Sequence, residues 1–238
     1  MNAFLYGIGL QWKLDLRNKG VLLTYYVVPL VFFLFIGGIF TSINPEAYKT
    51  LIASMTVFGV SMGAFLGAPA PLIELYGGEM KKAYKVGGIP LWTAAVNNLI
   101  SGLIHLMIMS TLIYLIAPVA FHAEVPASAL TYFVTLAVFI TACLSIGTLL
   151  GLFVKSSSKL TMISQIIFLP SIMLSGIMFP ADMLPEALQG VGRIFPATWG
   201  FESLGGSGWN TTGLLVLAGI FAVATLISAW RIGKLKAD

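Results

Sequence analysis

The sequence predicts an all-α membrane protein with six transmembrane helices, an N-terminal interfacial amphipathic helix and both termini cytoplasmic. Of its 238 residues, 58% are hydrophobic and only 9% are charged. In a soluble domain, roughly a quarter of the residues are charged. Charge-free runs long enough to supply a span of about 20 apolar residues recur along the whole chain. We therefore treat residues 1–238 as a single transmembrane domain.

The basic residues give these spans an orientation. The spans are predicted at residues 21–43, 50–73, 91–117, 129–154, 161–179 and 212–230. Most Lys and Arg residues lie before the first span, between the second and third, between the fourth and fifth, or after the sixth. The positive-inside rule makes these segments cytoplasmic, which predicts a multi-pass protein of a bacterial plasma membrane. Topology thus explains the net charge of +4 better than a nucleic-acid partner would.

Residues 1–19 precede the first span and predict the interfacial helix. Leu5, Ile8, Trp12 and Leu16 fall on one helical face, while basic and amide side chains lie elsewhere around the helix. That pattern is typical of a helix lying at the membrane surface, with Trp12 at headgroup level. The alternative is a frayed basic leader.

Small residues and a proline mark places where the spans pack or bend. Pro29 predicts a kink in the first span. The second span carries Gly59, Gly63 and Gly67 at four-residue spacing, and the fourth repeats that spacing at Cys143, Gly147 and Gly151. Such spacing lets helices approach closely. The single cysteine excludes an internal disulfide.

The loop at residues 74–90, between the second and third spans, predicts a short capped helix. Gly77-Gly78 and Gly87-Gly88 bracket Glu79–Val86, where Glu79 and Lys85 complement the helix dipole at either end. Pro90 then starts the next span. A charged helix in the largest cytoplasmic loop is a natural docking element for a soluble partner. The alternative is a basic loop that serves topology alone.

Polar residues inside the third and fifth spans are candidate path residues. They are Asn97, His105 and Gln165. His105 has no carboxylate on its own helix, so it either bonds across a helix interface or contributes to a substrate or proton path. The sequence contains no phosphate-binding loop, metal-ligand cluster or nucleophile motif. It therefore predicts no catalytic residue, no metal and no bound cofactor, and a partner must supply the energy.

The stretch from Phe168 to Gly206 is largely apolar, yet it contains several prolines and charged residues. Polar backbone at membrane depth survives only when it is buried in protein or faces a water-filled cavity. This stretch is therefore predicted to form a functional site or a gate.

These features together resemble the membrane subunit of type-2 ABC transporters. The first likeness is the plan of an interfacial helix followed by six spans. The second is the loop after the second span, with Glu79, Lys81, Lys82, Lys85 and Pro90. The third and most specific is the order of glycine and prolines after the fifth span, at Leu174-Ser175-Gly176, Phe179-Pro180, Leu184-Pro185 and Phe195-Pro196.

The resemblance implies a half-transporter that works as a homodimer or heterodimer in membrane lipid. A separate ABC ATPase would bind ATP and Mg and drive export of a hydrophobic or amphipathic compound, such as an antibiotic, peptide or lipid-like molecule. The alternatives are a channel or secondary transporter that works without an ATPase and, less favoured, a membrane enzyme acting on lipid.

The resemblance also implies three groups of site residues. Coupling to the ATPase falls to Glu79, Lys81, Lys82, Lys85, Trp12 and Arg17. An outer gate, formed by a re-entrant helical segment between the fifth and sixth spans at residues 180–209, involves Ser175, Gly176, Pro180, Asp182, Pro185, Glu186 and Pro196. The translocation path is assigned Gln165, His105, Asn97 and Phe33.

Overall fold

The computed structural model describes residues 3–43 and 45–237, with the side chains of residues 3, 45, 79, 236 and 237 left aside. All regular secondary structure in these residues is helical. The helices are α1 (Ala3–Arg17), α2 (Lys19–Ile43), α3 (Leu51–Gly77), α4 (Glu79–Val86), α5 (Trp92–Phe121), α6 (Ala129–Phe153), α7 (Ser157–Met173), α8 (Glu186–Gly192), α9 (Pro196–Leu204) and α10 (Thr211–Ala237).

Five of the helices in the described residues are long and apolar enough to cross a membrane, namely α2, α3, α5, α6 and α10. The fifth predicted span corresponds to α7, which has 17 residues and ends at Met173, not at residue 179. At about 1.5 Å per residue it extends roughly 26 Å, slightly less than a hydrocarbon core of about 30 Å. The six-span count therefore stays a prediction.

Helix α3 is the centre of the bundle. Every residue from Leu51 to Val60 is buried, and α2, α5, α6 and α7 all pack against this helix. A Cβ atom built on Gly59 would lie 2.6 Å from Met109 Cε of α5, and one on Gly151 would lie 3.0 Å from the Pro69 carbonyl oxygen of α3. The small residues thus mark close helix contacts, as their spacing predicted.

The first span departs from regular α-helix just before Pro29. Residues Leu23–Val27 form a π-helical turn, and α-helix resumes at Val28. Pro29 has no backbone N–H to donate to the carbonyl four residues earlier, so an irregular turn at this point costs little. A second π-helical turn, Gly63–Gly67, faces it on α3. A Cβ atom on Gly63 would lie 2.8 Å from Tyr25 Cδ1, so these glycines make room for the Tyr25 ring.

The loops group at two ends of the bundle. At one end, called the basic end here, Lys85 and residues 88–92 line a cavity together with Ala229, Ile232 and Gly233 of α10. At the other end, residues 49–50, 52–53, 124–127 and 204–207 line a second cavity, and the Glu124 amide donates to the Tyr48 carbonyl oxygen at 3.0 Å. This grouping agrees with the alternation of the predicted spans, while their orientation in a membrane stays a prediction.

Helix α1 lies along the first turns of α5. The Phe4 and Trp92 ring centroids are 6.2 Å apart, and further along α1 the Trp12 ring stacks on His105. On the predicted apolar face, Leu5 and Leu16 are exposed. Among residues 4–17 of α1, the one that is buried is Asp15, with 3% of its surface exposed. The helix is therefore attached to the bundle through a carboxylate as well as through apolar contacts.

Candidate functional site

Helix α4 forms the predicted coupling element at the basic end. It has eight residues and begins after Gly78, which is extended at φ −110° and ψ −171°. Its end is closed by the Gly87 amide, which donates to the Ala83 carbonyl oxygen at 2.9 Å. The two glycine pairs therefore limit the helix to the length that the sequence predicts.

Tyr84 fastens α4 to the bundle. Its ring is half-buried and packs against a small apolar cluster at the basic end formed by Leu72, Leu75, Tyr76, Leu91, Ala94 and Leu152. Burial raises the pKa of the Tyr84 hydroxyl above its ordinary value. Within the cluster, the Tyr76 hydroxyl donates to the Leu91 carbonyl oxygen at 2.8 Å. Movement of α4 would therefore be passed to the ends of α3, α5 and α6.

The predicted coupling residues differ in their surroundings. Lys82 and Lys85 are exposed on α4 and Lys81 is half-buried, while the side chain of Glu79 lies outside the described residues. Arg17 is exposed in the last turn of α1. Trp12, in contrast, is half-buried and faces α5. Basic side chains of both helices are thus exposed to solvent, and the coupling role of these residues stays a prediction.

The segment after α7 begins with a tight turn. Ser175 is buried and its hydroxyl donates to the Ile172 carbonyl oxygen at 2.9 Å. Gly176 has a φ of +87°, a left-handed conformation that favours glycine over residues with a Cβ atom. The order Ser175-Gly176 therefore ends α7 and redirects the chain.

The first half of this segment is exposed. Pro180 directly precedes a 3₁₀ turn at Ala181–Met183 that contains Asp182, and Pro185 directly precedes α8, with Glu186 in its first turn. All four of these predicted gate residues are exposed. The Gln189 side-chain amide donates to the Leu184 carbonyl oxygen at 2.8 Å and ties α8 to the preceding turn.

The second half of the segment is buried. Pro196 occupies the first turn of α9, and α9 packs against α3, α6 and α10. Two side chains of α9 close the connection to α8: the Thr198 hydroxyl donates to the Gly192 carbonyl oxygen at 2.6 Å, and the Trp199 indole donates to the Arg193 carbonyl oxygen at 2.8 Å. The predicted gate region is therefore an exposed half joined to a half that is part of the core.

A cluster of buried polar side chains lies where α1, α2 and α5 meet. The Ser101 hydroxyl donates to Asp15 Oδ2 at 2.6 Å, and the Gln11 amide donates to Asp15 Oδ1 at 2.8 Å. His105 Nε2 lies 4.0 Å from Asp15 Oδ2. On the other side of the imidazole, Nδ1 is 2.7 Å from the Tyr26 hydroxyl. We call Asp15, His105, Ser101, Gln11 and Tyr26 the Asp15 cluster.

Aromatic rings enclose the histidine of this cluster. The Trp12 ring stacks on His105 with centroids 4.0 Å apart and planes 9° from parallel, and the Tyr25 ring lies 5.4 Å away on a tilted plane. Burial raises the pKa of the Asp15 carboxyl, and the hydrogen bonds from Ser101 and Gln11 offset part of this rise. The cluster is therefore a sheltered, titratable site between three helices.

Sequence reasoning missed Asp15, although it identified His105 as bonding across a helix interface or lying in a path. The missed signal was spacing: Gln11 and Asp15 are four residues apart on one face of α1, and Ser101 and His105 are four apart on α5. Residues four apart on a helix are neighbours on its surface. Two polar pairs of this kind on adjacent helices could have indicated a contact.

The predicted path residues do not all share one environment. Phe33 is buried and its ring meets Phe121 of α5 edge to face, with centroids 5.4 Å apart. Asn97 is buried on α5, and a Cβ atom on Gly7 of α1 would lie 2.6 Å from its amide nitrogen. His105 belongs to the Asp15 cluster, whereas Gln165 is half-buried on α7. Three of the four therefore lie in contacts that join α5 to α1 or α2.

A known protein family matches most of the chain. Residues 3–207 match the family model described as ABC-2 type transporter, while comparison with curated proteins gave no match. The match covers most of the chain and agrees with the apolar helices of a multi-pass membrane protein. Members of this family are membrane transport subunits that in general work with an ATP-binding partner. The chain therefore belongs to the ABC-2 type transporter family.

Proposed function

We propose that this chain is the permease subunit of an ABC exporter, which forms the translocation path as a dimer and is driven by a separate ATP-binding subunit. Both termini and α4 then face the cytoplasm, where the ATPase binds ATP and Mg, while the chain itself binds no cofactor. The exported compound is hydrophobic or amphipathic, of the class of antibiotics, peptides or lipid-like molecules.

The attachment of α4 is the observation that carries this proposal. Lys82 and Lys85 extend from the basic end, while Tyr84 of the same helix packs on residues of α3, α5 and α6. A partner that pushes on the exposed side of α4 would therefore act on three helices of the core at once. This is the arrangement that an ATPase without membrane segments requires to move a bundle.

Packing of α2, α3 and α7 supports a path along these helices. Phe58 of α3 stacks on Phe32 of α2 with centroids 3.9 Å apart, and it meets Phe168 of α7 at 5.6 Å. Outside this contact, α7 exposes Met162, Ile166, Leu169 and Met173 along one side. Two copies that face each other through such surfaces would enclose an apolar path, with Gln165 as a polar group beside it. Apolar walls favour apolar or amphipathic substrates over ions.

The segment after α7 suits an outer gate because its halves differ in attachment. Helix α9 is buried among α3, α6 and α10, whereas residues 179–191 are mostly exposed. In the proposed dimer the exposed half, with Asp182 and Glu186, meets water or the second copy. Gly176 would act as the turning point, since its left-handed backbone connects α7 to this segment.

Reconstitution with the ABC ATPase encoded by an adjacent gene tests the proposal. We expect a stable complex and ATP-dependent transport of an amphipathic probe into inside-out vesicles. The variant Glu79→Lys should abolish assembly or coupling, whereas Glu124→Lys reverses a charge at the opposite end and should leave both unchanged. Failure of the wild-type chain to bind the ATPase or to support ATP-dependent transport would instead favour a channel or secondary transporter. Full activity of Glu79→Lys would refute the docking role of α4.

A further inference from the structure

His105 is the most enclosed titratable side chain of the Asp15 cluster. None of its surface is exposed, and its Nε2 atom has no hydrogen-bond partner among the described residues. The nearest charged group is the Asp15 carboxylate at 4.0 Å, just beyond hydrogen-bond distance. A movement of about 1 Å would close this contact. The carboxylate and the imidazole therefore form a pair that can exist in an open and a closed arrangement.

The partners of both groups indicate where a proton can reside. If the Tyr26 hydroxyl donates to Nδ1, then Nε2 carries the ring proton and points it toward Asp15. If a second proton is bound, Nδ1 donates to the Tyr26 oxygen, and Nε2–H is satisfied once it closes the 4.0 Å distance to Asp15 Oδ2. Asp15 already accepts from Ser101 and Gln11, so its ionised form is also supported. Either group of the pair can therefore hold the extra proton.

We propose that Asp15 and His105 form a buried proton-binding site, in which one shared proton keeps the pair neutral and holds α1 against α5. This site goes beyond the transport function proposed above and does not depend on it. A neutral imidazole beside an ionised carboxylate carries a net charge of −1. One added proton, on either group, brings the net charge of the pair to zero. Loss of that proton to water leaves a net charge of −1 inside the protein, and gain of another leaves +1.

Charge balance explains why α1 docking should depend on pH at both extremes. Burying an uncompensated charge is costly, so either charged state favours release of α1 into contact with water. The stacked rings of Trp12 and Tyr25 lower the cost of an imidazolium through cation–π interaction, which lets the proton reside on His105 while Asp15 is ionised. The pair thus stays neutral over a wider range of pH than Asp15 could alone.

The titration of Asp15 determines how the stability of the docked state changes as the pH rises. A carboxyl whose pKa is raised by burial stabilises the docked state while it is protonated and loses that contribution as the pH rises through the raised pKa. The titratable groups that face Asp15 are Tyr25 of α2 and His105 of α5, and Tyr26 of α2 faces the far side of His105. The cationic side chains of Lys13, Arg17 and Lys19 are exposed to solvent. Because these cations lie in solvent, His105 is the basic side chain placed to share the proton of Asp15. Sharing it extends the pH range over which α1 stays docked.

Infrared difference spectroscopy of the purified chain, titrated between about pH 4 and pH 9, tests for the proton. We expect a protonated-carboxyl band that Asp15→Asn removes. In His105→Gln the midpoint of this band should move to higher pH by about one unit or more, because the imidazolium that favours the carboxylate is gone. Ser101→Ala should move it in the same direction by losing a donor.

Ser110→Ala is the matched control, since Ser110 is as buried on α5 as Ser101 but its hydroxyl has no hydrogen-bond partner in the described part of the chain. It should leave the midpoint unchanged. Docking is read from Trp12 emission, taken as the difference between the wild-type chain and Trp12→Phe. Its alkaline shift should begin at lower pH in His105→Gln than in the wild-type chain.

The absence of a carboxyl band sensitive to Asp15→Asn would overturn the proposal. An unchanged midpoint and an unchanged alkaline limit in His105→Gln would overturn it as well, because Asp15 would then titrate alone. Should Asp15→Asn fail to fold, Tyr26→Phe keeps the test valid: it deletes one hydroxyl at Nδ1 and must shift the same titration. None of these measurements uses the ATPase, so the outcome is independent of the transport proposal.

Discussion

Helices α1 and α4 both start at the basic end, but the bundle holds them in different ways. Helix α1 inserts a carboxylate between α2 and α5, where it accepts hydrogen bonds from Ser101 and Gln11. Helix α4 is fastened by the half-buried ring of Tyr84, while Lys82 and Lys85 remain exposed. Both helices were predicted to couple to an ATPase. The structure ties α1 to the core through the buried Asp15, whereas α4 is tied by a half-buried ring and offers an exposed surface.

This difference matters for how motion could enter the bundle. A helix held by a buried polar group cannot be displaced without exposing or discharging that group. A helix held by one aromatic ring can adjust to a partner at small cost. We therefore expect changes in α1 to affect stability first and changes in α4 to affect partner binding first.

The largest effect is expected from Asp15→Ala. It leaves the donors of Ser101 and Gln11 unsatisfied and removes the carboxylate beside His105, so we expect a loss of about 3–5 kcal/mol in the free energy of unfolding. Denaturant unfolding in mixed micelles measures it. A loss below about 1 kcal/mol would mean that α1 is not held by this cluster, and the comparison with α4 would fail.

Tyr84→Ala should weaken the attachment of α4 by about 2 kcal/mol, roughly half the cost of truncating a fully buried aromatic ring. The exposed Tyr6 of α1 provides the control, since Tyr6→Ala should change the free energy of unfolding by about 0.5 kcal/mol or less. Hydrogen exchange of the α4 amides should rise in Tyr84→Ala alone. Equal effects of the two variants would show that Tyr84 is no anchor.

A matched pair of glycines tests how closely α1 approaches α5. A Cβ atom on Gly7 would lie 2.6 Å from the Asn97 amide nitrogen, whereas one on Gly9 would meet no atom of the described residues within 4 Å. Gly9→Ala should therefore raise stability by about 0.5–1 kcal/mol through helix propensity. Gly7→Ala should gain less or lose stability, because Asn97 must shift. Equal gains in both variants would contradict the close packing of α1.

The smallest effect on stability is expected from Lys85→Ala, at about 0.5 kcal/mol or less, because the side chain is exposed. Its effect should instead fall on association with the ATPase, and that effect should shrink as salt screens the charge. Titration of the complex at two ionic strengths measures it. If Lys85→Ala destabilises the chain as much as Asp15→Ala does, α4 is a core element and not a docking surface.

Composition and charge-free runs were sufficient to predict the long apolar helices, because in lipid each span must form its backbone hydrogen bonds within itself. The predicted spans at residues 50–73 and 129–154 lie close to the observed helices α3 (Leu51–Gly77) and α6 (Ala129–Phe153). The bounds of α4 followed from its glycine pairs. The end of α7 at Met173 was missed, since the apolar residues after it belong to a turn set by Gly176 and not to a helix.

The candidate sites were predicted less completely, because contacts between distant residues leave little trace in a single sequence. Lys82 and Lys85 were expected at a surface and lie there, but Asp15 was unrecognised because its partners are on another helix. Trp12 stacks on His105, a contact that its expected place at headgroup level did not indicate. The π-helical turn that presents Tyr25 and Tyr26 was likewise unforeseen, although Pro29 indicated an irregularity nearby.

The central claim, that a separate ATPase drives this permease, is tested most directly by ATP-dependent transport in vesicles that contain the chain and its ATPase. The account predicts accumulation of an amphipathic probe that requires ATP hydrolysis and is lost in Glu79→Lys, while a proton or sodium gradient alone gives none. Accumulation driven by an ion gradient without the ATPase would contradict it.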